Sequence, residues 1–491
     1  MDVAGNALKH LLMLAGREPA DFVTIEAEAP ALKTRYYADE AAAAAIAAGA
    51  VIAADIWTSR GGQQQSVTVS TREAGTSLVG FLHQKFDDPQ KAPPMRGQLD
   101  AAQTAANGFK KTRDGRFVFL HPSFPESLKR LMTVLDCRDD AAAVDAAVAK
   151  WNGLDLENAV AAAGACAGLA RTPAEWDESE QGRVLASRPV VEITKIGDSA
   201  PEPLHNNATA PLCGVRVLDL TRVLAGPTCA RTLAQYGADA MVISSPNLPS
   251  VPYFVTDTGH GKLAAFVDLA TDDGRARLRE LVRQGDVFSQ GYRQGALERH
   301  GFGPIELAQL RPGIICTAIN CYGHEGPWRG RPGWEQLGQT VTGMAVVHGG
   351  DEGPKLQPGA VTDYTTGFLA AFGTLVALQR RARYGGSYLV RVSLAQTAVW
   401  LRSLGLAGEE RLTQARMPGS DEIKSFSIHS ETGFGGMTHL RPPVHLSRTP
   451  AQITRPAPRL GEHTREVLHE AGYTDSDIDD LVASGIVGSC N

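Results

Sequence analysis

The sequence is short of several features that would narrow its chemistry at once. Its seven cysteines, at 137, 166, 213, 229, 316, 321 and 490, form no C-x-x-C pair and leave one over from any full pairing. No disulfide framework is expected, and the usage fits a reducing, cytoplasmic compartment. No long block of like charge occurs, and the formal net charge is −6, so nothing marks a nucleic-acid surface. The longest apolar run, Ala41–Ala54, falls short of the roughly 18–20 residues that span a bilayer. Residues 7–15 (ALKHLLMLA) lack a cationic flank and a cleavage site; they read as a surface helix rather than a signal peptide, and no membrane partner is expected. No G-x-G-x-x-G follows the strand-like segment 214–220, which disfavours a dinucleotide site. Walker, H-E-x-x-H and G-x-S-x-G signatures are missing too. The 13 histidines show no metal spacing, so no metal is expected.

What is present is a globular chain: 43% apolar and 21% charged residues fill cores without favouring disorder. GDSAPEPLHNNATAP, rich in Pro, Asn, Ser and Ala and without an apolar period, reads as a linker over 195–210. Beyond it, strands are expected at 214–220, 240–245, 286–292 and 313–323, alternating with helices at 222–239, 273–286 and 304–312. That alternation predicts a Rossmann-like parallel α/β sheet over 211–491, with ligands outside the carboxyl ends of its strands. Before the linker, KKTRDGRFVFLHP (110–122) reads as a hairpin, followed by helices to residue 185. The expected units are therefore a helical segment 1–80, a smaller α+β domain 81–194, the linker and the large domain.

An internal repeat joins the two halves. Asp39–Gly62 slides onto Asp363–Gly386 without gaps. Identities fall at Asp39/Asp363, Ala47/Ala371, Gly49/Gly373, Ala53/Ala377, Gly61/Gly385 and Gly62/Gly386. Val67–Ser70 then matches Val390–Ser393 after a one-residue slip. Both copies read as Ala-rich helix, Gly-Gly turn and strand, the order a duplication leaves.

Two places could carry chemistry. The turn after Leu220, from Thr221 through Arg222, Val223, Leu224, Ala225 and Gly226 to Pro227, enters a helix whose free N–H groups suit an anion. A tight strand–helix connection accounts for it equally well. Asp363, in AVTDYTTGFLAAFG, reads from spacing alone as a helix N-cap. In a dry cleft beside a thioester it would instead be a nucleophile, because a poorly hydrated carboxylate attacks well.

The segments PLCGVRVLDLTRVLAGPTCARTLAQYGAD (211–239), HGKLAAFVDL (260–269), GDVFSQGYRQGALERHGFG (285–303), CYGHEGPWRGRPGWEQLGQTVTG (321–343) and TDYTTGFLAAFGTLVAL (362–378) resemble, in order, the family III CoA-transferases, the formyl-CoA transferase-like or CaiB/BaiF proteins. RDGRFVFLHP and TPAEWDESEQGRVLASRPVVEI (172–193) resemble that family's small domain, here placed ahead of the large one. The resemblance implies transfer of CoA between carboxylic acids, with acyl-CoA as substrate and no resident cofactor. It implies Asp363 as nucleophile, and contacts to CoA from Arg222, Val223, Leu224, Ala225, Lys262, Tyr292 and Arg299. It also implies a homodimer.

Asp39 stands at the matching place in the partial copy, but YADEAAAAAI lacks the threonines and glycine, so a cap or a relic is expected there. The run ISSP at 243–246 departs from the family's charged stretch, and Phe434–Gly436 is a faint candidate for its mobile Gly-rich loop. Related acyl-CoA racemases place a histidine where this chain has Trp334, which disfavours that alternative. A non-catalytic CoA-binding or scaffold protein is the other alternative.

Overall fold

A computed structural model describes residues 2–19, 21–94, 105–122, 124–206, 208–470 and 472–483. Its centre is a seven-stranded sheet. In spatial order the strands are Lys262–Phe266, Asp239–Ser244, Arg216–Leu220, Val287–Gln290, Ile315–Asn320, Ser387–Ser393 and Glu192–Gly197. The first six are parallel and the last is antiparallel. Numbered along the chain, the parallel strands run 3-2-1-4-5-6, the doubly wound order. The chain therefore reverses direction of winding between Arg216–Leu220 and Val287–Gln290, and a crevice opens there. The strands are almost continuously buried, as sheets covered on both faces require.

The expected linker is partly structural. Lys195–Gly197 finish the antiparallel edge strand, so the strand crosses the expected boundary at 194/195. The rest is fastened down: Arg60 donates to the carbonyls of His205, Pro211 and Cys213 at 2.8, 2.8 and 2.9 Å. Loop composition reports backbone irregularity, not looseness.

The segment 1–80 is built into the core. Helix Ala38–Ser59 lies against helix Val361–Tyr384, with Gly49 set 3.7 Å, by the position a Cβ would take, from Leu375. Both helices are long and apolar enough to cross a membrane, and both are packed inside the protein. The short run Ala41–Ala54 thus belongs to a longer apolar helix whose burial explains its composition. Helix Val3–Ala15 covers it with Leu8, Leu11 and Leu12 turned inward, so the expected surface helix is half core.

Each half lends a strand to the other. Glu192–Gly197 completes the large sheet beside Ser387–Ser393. In return His445–Leu446 pairs with Val67–Thr68, in a small sheet whose other strand is Val23–Glu26. The expected hairpin forms from Gly108–Lys111 and Phe117–Leu120 and is joined by Ala167–Leu169. Helices Pro125–Leu135, Ala141–Val148 and Gly153–Ala162 pack around it through a separate apolar cluster. The six described cysteines are free thiols, and Cys490 lies outside the described residues.

Candidate active site

At the reversal point a cleft of about 540 Å³ opens. One wall is the turn after Arg216–Leu220. Asp219, fully buried in that strand, accepts the backbone N–H of Thr221 at 3.0 Å and the ammonium of Lys262 at 2.7 Å. The turn then passes through Val223 at φ +72°. A β-branched residue there stores roughly 1–3 kcal/mol of strain, which the packing around it must offset. Gly226 follows because a Cβ would stand 2.3 Å from the Thr221 side chain. Helix Ala225–Gln235 begins here without a side-chain cap, and its first residues Ala225 and Gly226 line the cleft.

The opposite wall comes from the N-terminal half: Phe124, Ser127 and Cys166 line the same cleft. The Arg222 guanidinium lies 5.1 Å from the Phe124 ring centroid and is half-buried. Tyr292, just past strand Val287–Gln290, closes the side near Arg222; burial pushes its phenol up and the Arg222 charge opposes that.

The floor holds Asp363, Glu335, Trp334 and Cys321. Asp363 is the third residue of helix Val361–Tyr384, whose cap position is Ala360. The N-cap expectation from spacing is corrected: the helix starts three residues earlier, with its cap position at Ala360 instead of Asp363. Asp363 is 7% exposed, its remaining surface turned to the cleft. Burial, and then the nearby Glu335 charge, push its carboxyl well above the usual range. Gly367 matters one turn on. A Cβ there would stand 2.5 Å from the Ala225 carbonyl and 2.6 Å from Thr228, so glycine lets the loop helix rest on the Asp363 helix.

The cleft thus gathers Arg222, Val223, Leu224, Ala225, Tyr292 and Asp363. It does not gather the other two expected contacts. Lys262 is fully buried, and its ammonium is taken up by Asp219 and by the Pro227 carbonyl at 2.8 Å. It ties down the start of the loop and lines a small adjoining pocket with Thr221, Arg222 and Val223. Its position in a fully covered strand, invisible in the dipeptide Gly-Lys, is the reason. Arg299 sits exposed in a short turn, Glu298–His300, away from the cleft lining. Ser244 of the altered 243–246 run faces a small adjoining pocket of about 40 Å³. Phe434–Gly436 forms the turn and start of the hairpin Ser427–Thr432/Gly435–Leu440, paired to Lys85–Phe86, and does not line this cleft.

Glu335 was missed by sequence reasoning, although its neighbour Trp334 was weighed. Its Oε1 accepts from Thr362 N at 3.2 Å, Thr362 Oγ1 at 3.1 Å and Gln339 Nε2 at 2.5 Å. No local pattern reveals a contact spanning 27 residues. Trp334 stacks on His121 with centroids 4.9 Å apart. Asp39 is not a cap either; it is the second residue of its helix, fully buried, with Oδ2 3.1 Å from Arg411.

The model of CoA-transferase family III matches residues 15–202 and 212–430. Among similar proteins, the acetyl-coenzyme A transferase nodX of Hypoxylon pulicicidum is 33% identical over 328 residues, 62% of this chain and 55% of that protein. The succinyl-CoA–L-malate CoA-transferase beta subunit of Chloroflexus aurantiacus is 33% identical over 196 residues, 37% of this chain and 48% of that one. A formyl-CoA:oxalate CoA-transferase of Rhodopseudomonas palustris is 31% identical over 236 residues, 45% and 54% respectively. In these matches the chain spans about half of each relative's length. Among solved structures, a CaiB/BaiF family protein from Brucella suis aligns with TM-score 0.44 at 19% identity, covering 53% of this chain and 99% of that one.

Proposed function

The chain belongs to CoA-transferase family III, and from that membership we propose that it moves CoA from an acyl-CoA donor to a carboxylic acid acceptor through Asp363. The observation that carries the reading is a buried carboxyl at the floor of a cleft, one helix start away from the 222–225 loop.

Asp363 Oδ attacks the thioester carbonyl, the C–S bond breaks, and CoA leaves as thiolate from a mixed anhydride. The thiolate attacks the aspartyl carbonyl and releases the donor acid as carboxylate, leaving an aspartyl thioester. The acceptor carboxylate repeats the sequence in reverse and departs as the new acyl-CoA. Each bond broken is matched by one of similar energy, so the protein's task is to hold the partners together and keep water out.

Arg222, Val223, Leu224 and Ala225, with Tyr292, are the proposed CoA contacts, and the half-buried Arg222 charge suits a phosphate or a developing thiolate. Lys262, lining the pocket next to Arg222, and the exposed Arg299 complete the proposed set. Trp334, with no titratable nitrogen, does not supply the second acid–base group a racemase needs. The same reading includes a homodimer in the cytoplasm, and treats the helix–turn–strand units at 38–70 and 361–393 as products of duplication.

Incubation with a panel of acyl-CoAs, followed by mass analysis of the Asp363 peptide, tests the proposal. A CoA thioester or acyl adduct on Asp363 is expected. Equal turnover by wild type and Asp363→Ala would sink it.

A further inference from the structure

Attack on a thioester needs Asp363 ionised, yet its surroundings favour the acid. No hydrogen-bond donor to its carboxyl is found among the described residues, and burial and the Glu335 charge both oppose ionisation. Glu335 is placed differently. It is 2% exposed, and three donors converge on its Oε1. Two of them belong to Thr362, so Glu335 supplies the cap that Ala360 does not give the Asp363 helix. Its Oε2 is buried, lacks a partner among the described residues, and belongs to a side chain that lines the cleft beside Asp363. Two buried carboxyls lining one cleft, with the Glu335 charge felt at Asp363, disfavour ionising together. Burial pushes Glu335 up to about 7 as well, but the donors on Oε1 oppose that and Asp363 has no such help, so of the two carboxyls Glu335 holds charge more easily.

We propose that Glu335 readies Asp363 for attack: Oε1 fixes the start of the Asp363 helix, and Oε2 takes the Asp363 proton when acyl-CoA fills the cleft. The proposal rests on the transferase reading. The proton passes from Asp363 Oδ to Glu335 Oε2, the freed carboxylate attacks the thioester carbon, and the C–S electrons leave with CoA. The site carries one negative charge throughout, first on Glu335, then on Asp363, then on the thiolate. When Asp363 is regenerated the proton returns.

Several titratable groups near the pair are pushed away from the neutral range. Burial holds His121, behind Trp334, down at about 4 and Cys166 up at about 11. Cys321 and Tyr322, past strand Ile315–Asn320, are raised well above their ordinary values, chiefly by burial. Arg222, Arg329 and Arg331 line the same cleft as cations, with Glu126, Arg130 and Arg293 at its outer edge. The limb of a pH profile between these extremes therefore reports the carboxyl pair.

The test is the single-turnover rate of Asp363 adduct formation against pH, with an acyl-CoA and no acceptor acid, for wild type, Glu335→Gln and Glu335→Asp. Glutamine keeps an acceptor for Thr362 but cannot take a proton, so Asp363 must ionise unaided. The acid limb should move up in pH by about a unit or more (roughly tenfold slower at the wild-type midpoint), and aspartate should move it back. An unmoved limb overturns the proposal, since Asp363 would then be ionised at rest. A limb moved down overturns it too, since Glu335 would act only as a repelling charge. A uniform fall in rate at unchanged limb marks a structural cap alone. If wild type forms no Asp363 adduct at any pH, the transferase reading fails and this proposal with it.

Discussion

Two aspartates stand at the starts of two paired helices, and their surroundings differ at every level. Around Asp363 the next turn carries Thr365, Thr366 and Gly367; around Asp39 the same positions are Ala41, Ala42 and Ala43. Gly367 admits helix Ala225–Gln235, and a cleft remains above the carboxyl. Beside Asp39, a Cβ on Gly75 would stand 1.5 Å from Oδ1, so helix Thr71–Ser77 presses directly on the carboxyl. Arg411 closes the other side, paired to both Asp39 and Glu40. A repeated helix and aspartate do not make a repeated site; the space above the carboxyl and the charge left unanswered there do.

The sharpest break in the comparison is functional. Asp363→Ala should lower transfer by several orders of magnitude, about 1.4 kcal/mol for each tenfold, whereas Asp39→Ala should leave kcat/KM within a few-fold. Comparable losses in the two variants, measured with one acyl-CoA, would erase the distinction drawn between them.

Next come the two buried ion pairs. Lys262→Met removes the cation paired with Asp219 at zero exposure, at a cost of about 3–5 kcal/mol. Arg411→Met should cost less, because Asp39, raised to about 7 chiefly by burial, can take up a proton instead. Urea unfolding at pH 7 checks the order; a reversed order contradicts it.

The helix crossings follow. Gly367→Ala forces a methyl into the Ala225 carbonyl and should lose about 1–3 kcal/mol, together with acyl-CoA binding. Ala43→Gly should cost about 1 kcal/mol through helix propensity and leave activity alone. Calorimetry of both variants separates the two sites.

A further effect depends on pH. The folded-state value for Asp39, about 7, lies above that of an unfolded carboxyl. The folded protein therefore binds the extra proton, and stability from this group is full below about pH 4 and lost as pH rises through about 7. Asp39→Asn should match wild type at pH 4 and exceed it by about 4 kcal/mol at pH 8, about 1.4 kcal/mol for each unit between the two values. Melting curves that stay parallel from pH 4 to 8 would contradict the burial argument.

Much of this was legible in the chain because it is local. Strand, turn and helix at 216–235 show in apolar runs punctuated by Gly226 and Pro227, and Asp363 stands in a compact motif. What depended on distance was hidden. Nothing near Lys262 says that Asp219 awaits it, and nothing in RPGWEQ says that Glu335 will reach Thr362. The edge strand Glu192–Gly197 alternates weakly and follows family small-domain sequence, so its membership in the large sheet emerges only from its partner.

The pairing of helix Ala38–Ser59 with helix Val361–Tyr384 also sets a schedule for biosynthesis. The first helix leaves the ribosome about 320 residues before the second. At roughly 5–20 residues per second, that is about 15–60 s. During that interval a nearly all-apolar helix has only the short segments around it for cover. The strand His445–Leu446 that completes its sheet arrives later still. A holding chaperone on the nascent chain would meet helix Ala38–Ser59 without its partner, long before the cleft exists.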